Sequence, residues 1–439
     1  MVNQSLKSVK LASLVLSLLM QLFEHKRFKA TRVSISPQIL GLRMIIKILS
    51  KVVSIYTFLL MMAVLFINAI LLNTAYAKPA LIPAPPQVSA SSYILLDATS
   101  GEVIIEHNSH VQLPPASLTK MMTAYIVENE VSQGNIHFYD EVPISVKAWR
   151  TGGSKMFVKE GTKVVLEDLL KGVIIQSGND ASIALAEYVA GSEDAFADVM
   201  NQQAVLLGMT DSSFKNATGL PSEGHHSTAS DLATLALAII SDFPEQYPLY
   251  AEKYFTYNNI RQPNRNRLLW RDKSVDGLKT GHTEEAGFCL VASAKRNDMR
   301  LISVVMGTNS ENARAKETQK LLNYGFRYYQ THTLYTAGQS LSENQVWGGS
   351  LDLVQLGLSK EVIVTIPRGH KSELEAEISV NDVIHAPVNV GEEFGRLIVK
   401  LDGEVIVDEP LVALEPVPEG GIFKRIWDMI KLFFIGLFA

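Results

Sequence analysis

The chain has 439 residues, of which 47% are hydrophobic and 19% are charged, values that exclude a disordered chain and are typical of a globular protein with added apolar segments. Its net charge of −5 gives no basis for a nucleic-acid partner. The single cysteine, Cys289, excludes a disulfide within the chain.

An apolar segment near the N-terminus has the three parts of a secretory signal peptide. Two lysines precede a long apolar run, the run ends in Ala75-Tyr76-Ala77, and a Pro- and Ala-rich stretch follows over 78–86. We therefore predict export, with cleavage after Ala77. An uncleaved transmembrane anchor is the alternative, because the run is long enough to span a bilayer. Residues 1–43 precede this segment, and translation from Met44 is the simplest account of them.

The region after the signal segment alternates between strand-like and helix-like patterns. Two β-rich runs around a Gly-containing turn predict a hairpin over 91–109. Apolar residues at helical spacing predict helices over 117–130, 166–175, 181–190, 192–207, 229–240 and 312–329. Strand-like runs follow over 274–280, 287–294 and 301–308. Strands at both ends with helices between them predict a mixed α/β domain with one antiparallel sheet.

Two further segments follow this domain. Short alternating runs with Gly, Asp and Asn turns predict a small all-β module beyond residue 334. Over 420–439, large apolar residues recur every three or four positions, with Lys424, Asp428 and Lys431 on the opposite side. This pattern predicts an amphipathic helix lying in a membrane interface, with docking on the protein's own core as the alternative. The predicted divisions are 1–77, 78–334, 335–418 and 419–439.

The first candidate catalytic motif is Ser117-Leu118-Thr119-Lys120. Positions i and i+3 of a helix share a face, so the Lys120 amine can reach the Ser117 hydroxyl. A serine hydroxyl is a weak nucleophile until a base takes its proton. A lysine is such a base only where a dry, positively crowded site lowers its pKa, and a second lysine nearby would supply that crowding. The motif predicts a serine nucleophile with a lysine base.

The second motif is Ser177-Gly178-Asn179, in the turn between two predicted helices. A hydroxyl and a carboxamide on a rigid turn can relay a proton and hold a substrate amide. The same residues also form an ordinary turn and helix N-cap, so a structural role is the alternative.

The third motif is Lys279-Thr280-Gly281-His282, at the end of a predicted strand. Lys279 and Thr280 can bind a substrate carboxylate, and Gly281 would let a peptide lie against the strand without a Cβ in the way. A strand that simply runs into a turn is the alternative.

In this order, and on a helix, an interhelical turn and a strand, the three motifs resemble those of the serine penicillin-binding proteins and β-lactamases. Longer matches over 115–123, 176–181, 276–283 and 365–369, together with the amphipathic tail, are similar to the low-molecular-mass D-alanyl-D-alanine carboxypeptidases. The resemblance covers roughly 85–439. It implies an α/β fold in which a β-lactamase/transpeptidase-like domain, an antiparallel sheet with a helical cluster, precedes a small all-β domain and a C-terminal amphipathic helix.

The resemblance also implies the catalytic roles. Ser117 is expected to be the nucleophile, Lys120 its base, and Ser177 a proton relay that Lys279 assists.

Substrate-binding roles are implied in the same way. Asn179 is expected to bind the substrate peptide, and Thr280 to hold its terminal carboxylate with help from Arg314. The backbone N–H groups of Ser117 and His282 are expected to form the oxyanion hole.

The implied reaction removes the terminal D-alanine from a peptidoglycan pentapeptide through an acyl-enzyme, without a metal or an organic cofactor. β-Lactam antibiotics are expected as covalent inhibitors, and the tail is expected to hold the enzyme at the outer, periplasmic face of the cytoplasmic membrane. A β-lactamase and a non-catalytic cell-wall scaffolding protein are the alternatives. The β-module and the tail argue against the first, and three intact motifs argue against the second.

Several other residues are interpreted as structural. His225-His226 is predicted to be a polar loop, since no metal-ligand spacing accompanies it. Cys289 is predicted to be a buried packing residue, and Trp270 and Trp347 are predicted to pack.

Overall fold

The structure is a computed structural model that describes residues 51, 54–55, 57–59, 61–62, 82–381 and 383–438. The chain divides into two units, Met1–Ala77 and Lys78–Ala439, and the fold described below is that of the second. The predicted cleavage site at Ala77 and the predicted start at Met44 lie outside the described residues. Both stay predictions.

A five-stranded antiparallel sheet forms the centre of the first part of this unit, in the order β2-β1-β9-β8-β7. Its strands are β1 (Ser92–Asp97), β2 (Val103–His107), β7 (Val275–Thr283), β8 (Gly287–Arg296) and β9 (Met299–Thr308). Two short hairpins lie beside it, β3 (Glu141–Pro143) with β4 (Lys163–Val165) and β5 (Tyr254–Tyr257) with β6 (Ile260–Pro263). The antiparallel pairing of β1 with β9 confirms that one sheet joins the N-terminal and C-terminal portions.

The helices cover both faces of this sheet. They are α1 (Lys120–Ser132), α2 (Val146–Arg150), α3 (Leu166–Lys171), α4 (Asn179–Ala190), α5 (Glu193–Leu206), α6 (Ala229–Asp242), α7 (Leu268–Arg271) and α8 (Glu311–Tyr328). The side chains of Ser192, Thr228 and Ser310 cap α5, α6 and α8 by accepting a hydrogen bond from a first-turn N–H. These caps explain why the predicted starts of the three helices were accurate.

Two predicted helices begin or end differently from the prediction. The helix predicted from Ser117 starts as a 3₁₀ turn, Ala116–Thr119, before α1. The helix predicted over 166–175 is α-helical only to Lys171 and continues as a π-helical turn, Gly172–Gln176. Both irregular turns lie next to a predicted catalytic serine.

The apolar core lies on both sides of the sheet because successive residues of a strand face opposite sides. Ile94 and Leu96 pack with the helical cluster that contains α1, α4 and α6. Leu95 packs on the other side, with α8. Trp270 differs from its prediction, since it is 41% exposed, and its ring forms an edge contact with Tyr254. The one-turn helix α7 buries its two leucines and leaves this tryptophan on the outside.

The second part of the unit is all-β, as predicted. Its strands are β10 (Tyr329–Tyr335), β11 (Ser340–Trp347), β12 (Leu353–Gly357), β13 (Val362–Pro367), β14 (Leu374–Val380), β15 (Ile384–His385), β16 (Glu393–Leu401) and β17 (Glu404–Ala413). A six-stranded sheet has the order β14-β16-β17-β12-β11-β15, and β10 pairs with β13. Asp97 of β1 accepts hydrogen bonds from Thr331 and Thr365, which connects the two parts. The predicted domain boundaries stay predictions.

The chain ends in the helix α9 (Ile422–Phe438). Its large apolar side chains are exposed, Phe423 to 87%. Its polar side instead contacts the β-domain, where Asp428 is buried. Among the described residues, no helix combines the length and the apolar character needed to cross a bilayer.

Candidate active site

Ser117 lies in the 3₁₀ turn Ala116–Thr119, immediately before α1. The residue before it, Ala116, has φ of 49°, a left-handed conformation that is uncommon for a residue with a Cβ. The Lys120 Nζ lies 3.2 Å from the Ser117 Oγ. The turn therefore brings the first predicted pair within hydrogen-bonding distance.

Lys120 is almost completely buried, with 1% of its surface exposed. Its amine donates a hydrogen bond of 2.7 Å to Asn179 Oδ1 and another to the carbonyl of Thr218. Burial, and then the positive charge of Arg265, lower the pKa of Lys120 to about 7, against the opposite effect of Asp180. The expected positive crowding is thus present, although Arg265 rather than a second lysine is the cation that lowers this pKa.

Ser177 ends the π-helical turn in a left-handed conformation, with φ of 64° and ψ of 36°. The buried Lys279 of β7 donates a hydrogen bond of 2.8 Å to the Ser177 Oγ and one of 3.0 Å to the Thr280 carbonyl. Burial and the charge of Lys120 lower the pKa of Lys279 well below its usual range. The structure brings Lys279 to Ser177, as the predicted proton relay requires.

Asn179 makes contacts within the protein, and the prediction that it binds the substrate peptide stays a prediction. Its side chain is buried, its Oδ1 accepts from Lys120, and its Nδ2 donates to the Gly152 carbonyl at 2.7 Å. Both ends of the carboxamide are therefore engaged within the protein. Asn179, the first residue of α4, therefore contacts the Lys120 amine and can help to position it.

The structure explains the glycine at position 281 differently from the prediction. A Cβ at this position would lie 2.9 Å from the Pro115 carbonyl oxygen and 3.1 Å from the Leu118 Cγ. The missing side chain thus lets β7 approach the turn that carries Ser117. The prediction was that a side chain at position 281 would obstruct a bound peptide. In the structure, it would obstruct the turn that carries Ser117.

A groove with a volume of about 230 Å³ opens over the two serines. Among its lining residues are Ser117, Ser154, Ser177, Arg265, Thr280, Gly281, His282, Phe288, Glu311 and Arg314. Four of the predicted binding residues, Thr280, Gly281, His282 and Arg314, therefore line the same space as Ser117 and Ser177.

Arg314 is held at the edge of this groove from α8. Its Nη1 donates to the Gly281 carbonyl at 3.2 Å, and its Nη2 lies 3.4 Å from a carboxylate oxygen of Glu311. His282 stacks on Phe288 with ring centroids 3.8 Å apart, and the Arg314 guanidinium lies 5.7 Å from the centroid of the same Phe288 ring. With Arg265, the groove contains two guanidinium groups and can attract an anionic ligand.

Sequence reasoning missed Arg265, Ser154, Phe288 and Glu311, which also line the groove. Arg265 lies in a loop between β6 and α7, where its Nε donates to the Gln176 carbonyl at 3.0 Å. No local motif surrounds it. Its contact with the turn before Ser177 arises only from the fold.

His225 lies in a loop without regular secondary structure, as predicted. It is buried and forms a hydrogen bond of 2.8 Å with Thr119 Oγ1, beneath the turn of Ser117. Burial lowers its pKa to about 4. Cys289 is buried as predicted, and burial raises its pKa to about 11, so it is not a reactive thiol.

One group of potential metal ligands occurs among the described residues, and it lies in the β-domain. His370, Glu373 and Asp402 place their ligand atoms within 4.8 Å of one another. The groove has only two potential metal ligands among its described lining residues, His282 and Glu311, and they do not belong to a group of three. That the reaction needs no metal or cofactor stays a prediction.

Comparisons with known proteins show the family of the chain. A family model described as D-alanyl-D-alanine carboxypeptidase matches residues 80–310, more than half of the chain. The chain belongs to the D-alanyl-D-alanine carboxypeptidase family. It is a serine-type peptidase of this family, and a second family model, the C-terminal domain of penicillin-binding protein 5, matches residues 329–419.

Individual relatives support the same assignment. The D-alanyl-D-alanine carboxypeptidase DacA of Escherichia coli is 44% identical over 362 residues, 81% of this chain and 90% of the relative. Penicillin-binding protein 5 of Haemophilus influenzae is similar in structure, with 41% identity and a TM-score of 0.74 over 77% of this chain and 100% of that one. A penicillin-binding protein of Listeria monocytogenes, solved with ampicillin bound, has 31% identity and a TM-score of 0.51 over 55% of this chain and 100% of that one. These similarities confirm the predicted family, fold and enzyme class.

Proposed function

We propose that this carboxypeptidase removes the terminal D-alanine of a peptidoglycan pentapeptide by nucleophilic attack of Ser117, with Lys120 as the general base. The observation that carries the proposal is the arrangement of three hydrogen-bonding partners around the Lys120 amine. Two of them, Asn179 Oδ1 and the Thr218 carbonyl, can only accept. The third is the Ser117 hydroxyl, 3.2 Å away.

This arrangement directs the lone pair of a neutral lysine at the nucleophile. A neutral amine has two N–H bonds, and the two acceptors engage both of them. The remaining direction, towards Ser117 Oγ, then holds the lone pair that takes the hydroxyl proton. A pKa of about 7 leaves a large fraction of Lys120 neutral near pH 7.

The proton then has a route to the leaving group. Ser117 Oγ bonds to the carbonyl carbon of the penultimate D-alanine, and its proton passes to Lys120. The Ser177 hydroxyl accepts a hydrogen bond from Lys279, so its own proton is available to the departing amine. When the C–N bond breaks, D-alanine leaves with that proton, Lys120 returns one to Ser177, and water later hydrolyses the acyl-enzyme.

The groove supplies substrate binding in this proposal. Thr280 and Arg314 bind the terminal carboxylate, and Arg265 adds a second positive charge. The backbone N–H groups of Ser117 and His282 stabilise the oxyanion. Asn179 contributes through the position of Lys120 and Lys279 through Ser177. β-Lactams present a strained amide and a carboxylate to the same groups, which supports their action as covalent inhibitors.

The site of action in this proposal is the periplasmic face of the cytoplasmic membrane. The signal-like segment that ends at Ala77 supports export. The exposed apolar side of α9 supports peripheral attachment to a lipid surface.

The direct test is release of D-alanine from a pentapeptide that ends in D-Ala-D-Ala. The purified wild-type chain should release free D-alanine, and Ser117→Ala should abolish release while it keeps the wild-type melting temperature. Exposed Ser132→Ala, in α1, is the matched control and should retain activity.

Labelling with penicillin followed by mass spectrometry identifies the nucleophile. The adduct should lie on the peptide that contains Ser117. An adduct elsewhere, or one that persists in Ser117→Ala, would contradict the assignment.

A further inference from the structure

A tight loop between α5 and α6 presents the Thr218 carbonyl to the Lys120 amine. The loop consists of residues 216–220, which we call the Asn216 loop, and it contains no helix or strand. Lys120 donates a hydrogen bond to this carbonyl, and both residues are buried. The carbonyl is one of the two acceptors that direct the Lys120 lone pair at Ser117. Any group that holds this carbonyl in place therefore also holds the general base.

The side chain of Asn216 holds the loop together. Its Oδ1 accepts hydrogen bonds of 3.1 Å from the Thr218 N–H, 2.9 Å from the Thr218 hydroxyl and 2.7 Å from the Gly219 N–H. Its Nδ2 donates a hydrogen bond of 3.0 Å to the Leu220 carbonyl. An asparagine side chain that bonds to backbone groups a few residues ahead is a common way to fix a turn. Both polar atoms of this carboxamide are thus engaged with the loop.

The shortest of these hydrogen bonds fixes the peptide group that contains the Thr218 carbonyl. The Thr218 C=O and the Gly219 N–H belong to one planar trans peptide group, so they point in opposite directions. The N–H points to Asn216 Oδ1, and the C=O points to the Lys120 amine. Because the group is rigid, its carbonyl cannot turn away from Lys120 without breaking the bond to Asn216.

Two further contacts hold the loop against the elements that carry the catalytic pair. The Thr123 hydroxyl of α1 donates a buried hydrogen bond of 2.8 Å to the Ala217 carbonyl. Gly219, with φ of 76°, approaches the 3₁₀ turn so closely that a Cβ there would overlap the Ala116 carbonyl. The loop is therefore held against both α1 and the turn that precedes it.

We propose that Asn216 is a positioning residue for the general base: its Oδ1 orients the Thr218–Gly219 peptide, and the Thr218 carbonyl in turn orients the Lys120 amine. The inference rests on the proposed function and adds to it a residue that acts on Lys120 through a backbone carbonyl. Without this carbonyl, one N–H bond of the neutral amine has no acceptor, and the lone pair is no longer directed at Ser117.

Loss of the carbonyl also changes the pKa of Lys120. A carbonyl oxygen binds a charged ammonium group more strongly than a neutral amine, so its removal lowers the pKa. The other titratable groups that act on this amine lie on several elements. They are Arg265 in the loop between β6 and α7, Asp180 of α4, Lys279 of β7 and His225, which is neutral near pH 7. Asn216→Ala leaves all of them in place, so a shift of the midpoint reports on the carbonyl.

Stopped-flow acylation of the full chain by a fluorescent penicillin tests the proposal. The rate constant at saturating penicillin is measured as a function of pH on both sides of the Lys120 pKa of about 7. In Asn216→Ala, the plateau rate should fall by up to about 10²-fold, because misplaced catalytic groups lose rate to this extent. The midpoint should move to lower pH, and the penicillin concentration for half-saturation should stay the same.

Asn216→Asp is the conservative variant. It keeps an oxygen acceptor for the Gly219 N–H and loses only the donor to the Leu220 carbonyl. It should retain most of the plateau rate, and its midpoint should not lie below that of the wild type.

Asn201→Ala is the matched control. Asn201, in α5, forms hydrogen bonds with the Ala197 carbonyl and with the backbone N–H and carbonyl of Phe214, all outside the Asn216 loop. Its replacement should lower the melting temperature, while the plateau rate and the midpoint stay at the wild-type values.

A wild-type plateau rate and midpoint in Asn216→Ala would overturn the proposal. An equal loss of rate in Asn216→Asp or in Asn201→Ala would also overturn it, because the effect would then be a general loss of structure. If Asn216→Ala does not fold, Asn216→Asp decides: a retained plateau rate supports the proposal, and a lost one refutes it. A wild-type chain that is not acylated at Ser117 would instead refute the proposed function, and the inference with it.

Discussion

Two lysines lie in one buried site, and burial lowers the pKa of each. The charge of Lys120 lowers the pKa of Lys279 further, and the charge of Arg265 contributes to the lowered pKa of both lysines. A buried charge without an acidic partner is unfavourable, so the site favours a neutral amine. The neutral amine is the form that can accept a proton from Ser117.

Lys120→Arg should abolish efficient acylation, because a guanidinium group does not lose its proton in proteins. Loss of a general base lowers a rate by about 10²–10⁴-fold. Stopped-flow measurement of acylation by a fluorescent penicillin gives the rate, and the exposed Lys316→Arg in α8 is the control. Near-normal acylation in Lys120→Arg would show that another group activates Ser117.

The pH dependence of acylation tests the same residue without removing it. Because the pKa of Lys120 is about 7, the neutral fraction and the acylation rate should rise with pH through about 7. Removing a nearby positive charge raises the pKa of an amine, so Arg265→Ala should move the midpoint to higher pH. A midpoint that stays in place in Arg265→Ala would contradict the electrostatic role of Arg265, whatever happens to the absolute rate.

At the scale of elements, the site depends on how closely β7 approaches the 3₁₀ turn before α1. The strand supplies Lys279 to Ser177, and the turn supplies Ser117. Gly281 is the point of contact, because a Cβ built at this position would lie 2.9 Å from the Pro115 carbonyl oxygen. The distance between two elements thus decides whether the two halves of the site meet.

Gly281→Ala should therefore impair acylation without preventing folding. The added methyl group must displace β7 or the turn by a few tenths of an ångström, and misplaced catalytic groups can cost up to about 10²-fold in rate. Acylation kinetics and the melting temperature should be measured together. Gly421→Ala is the control, because a Cβ there meets nothing within 4 Å. A wild-type rate in Gly281→Ala would show that the contact is not needed.

At the scale of the whole molecule, a buried acid in α1 links stability to pH. Glu128 is 1% exposed and accepts a hydrogen bond of 3.3 Å from the Tyr250 hydroxyl. Burial raises the pKa of Glu128 from 4.5 to about 8. An acid whose pKa is higher in the folded than in the unfolded protein stabilises the folded state at low pH. This contribution is complete below the pKa of the unfolded state and is lost as the pH rises towards the pKa of the folded state.

Glu128→Gln should remove that dependence. Between the unfolded and folded pKa values of Glu128, this carboxyl group alone should lower the wild-type free energy of unfolding by up to about 1.4 kcal/mol per pH unit as the pH rises. Denaturant titrations at several pH values between 5 and 8 should show a shallower slope for Glu128→Gln, and the exposed Glu160→Gln is the control. Equal slopes for wild type and Glu128→Gln would mean that Glu128 is ionised in the folded protein.

The proposed membrane attachment is also tested on the whole molecule. Truncation after Pro418 removes α9 and should release an exported, signal-processed enzyme from the membrane fraction, with activity on small peptides retained. The groove lies in the part of the chain that contains the five-stranded sheet, so the truncation does not alter it. Sedimentation with membranes after truncation would favour an uncleaved N-terminal segment as the anchor.

The sequence by itself determined the family and most elements of regular structure, and it supplied the candidate catalytic residues. Ser117 and Lys120 are close in the chain, helix caps act within one turn, and strand alternation is visible over a few residues, so local patterns were sufficient. The three motifs could be ordered along the chain and recognised together.

Only the tertiary structure decided how these residues are used. The Thr218 carbonyl that orients Lys120 lies 98 residues away in sequence, and Asn179 lies 59 residues away. Arg265 and His225 carry no local signal of their position in or beneath the site. Burial and electrostatic interaction depend on distances in space, which local sequence patterns do not contain. For that reason the pKa of Lys120, the contact at Gly281 and the docked side of α9 required the folded chain.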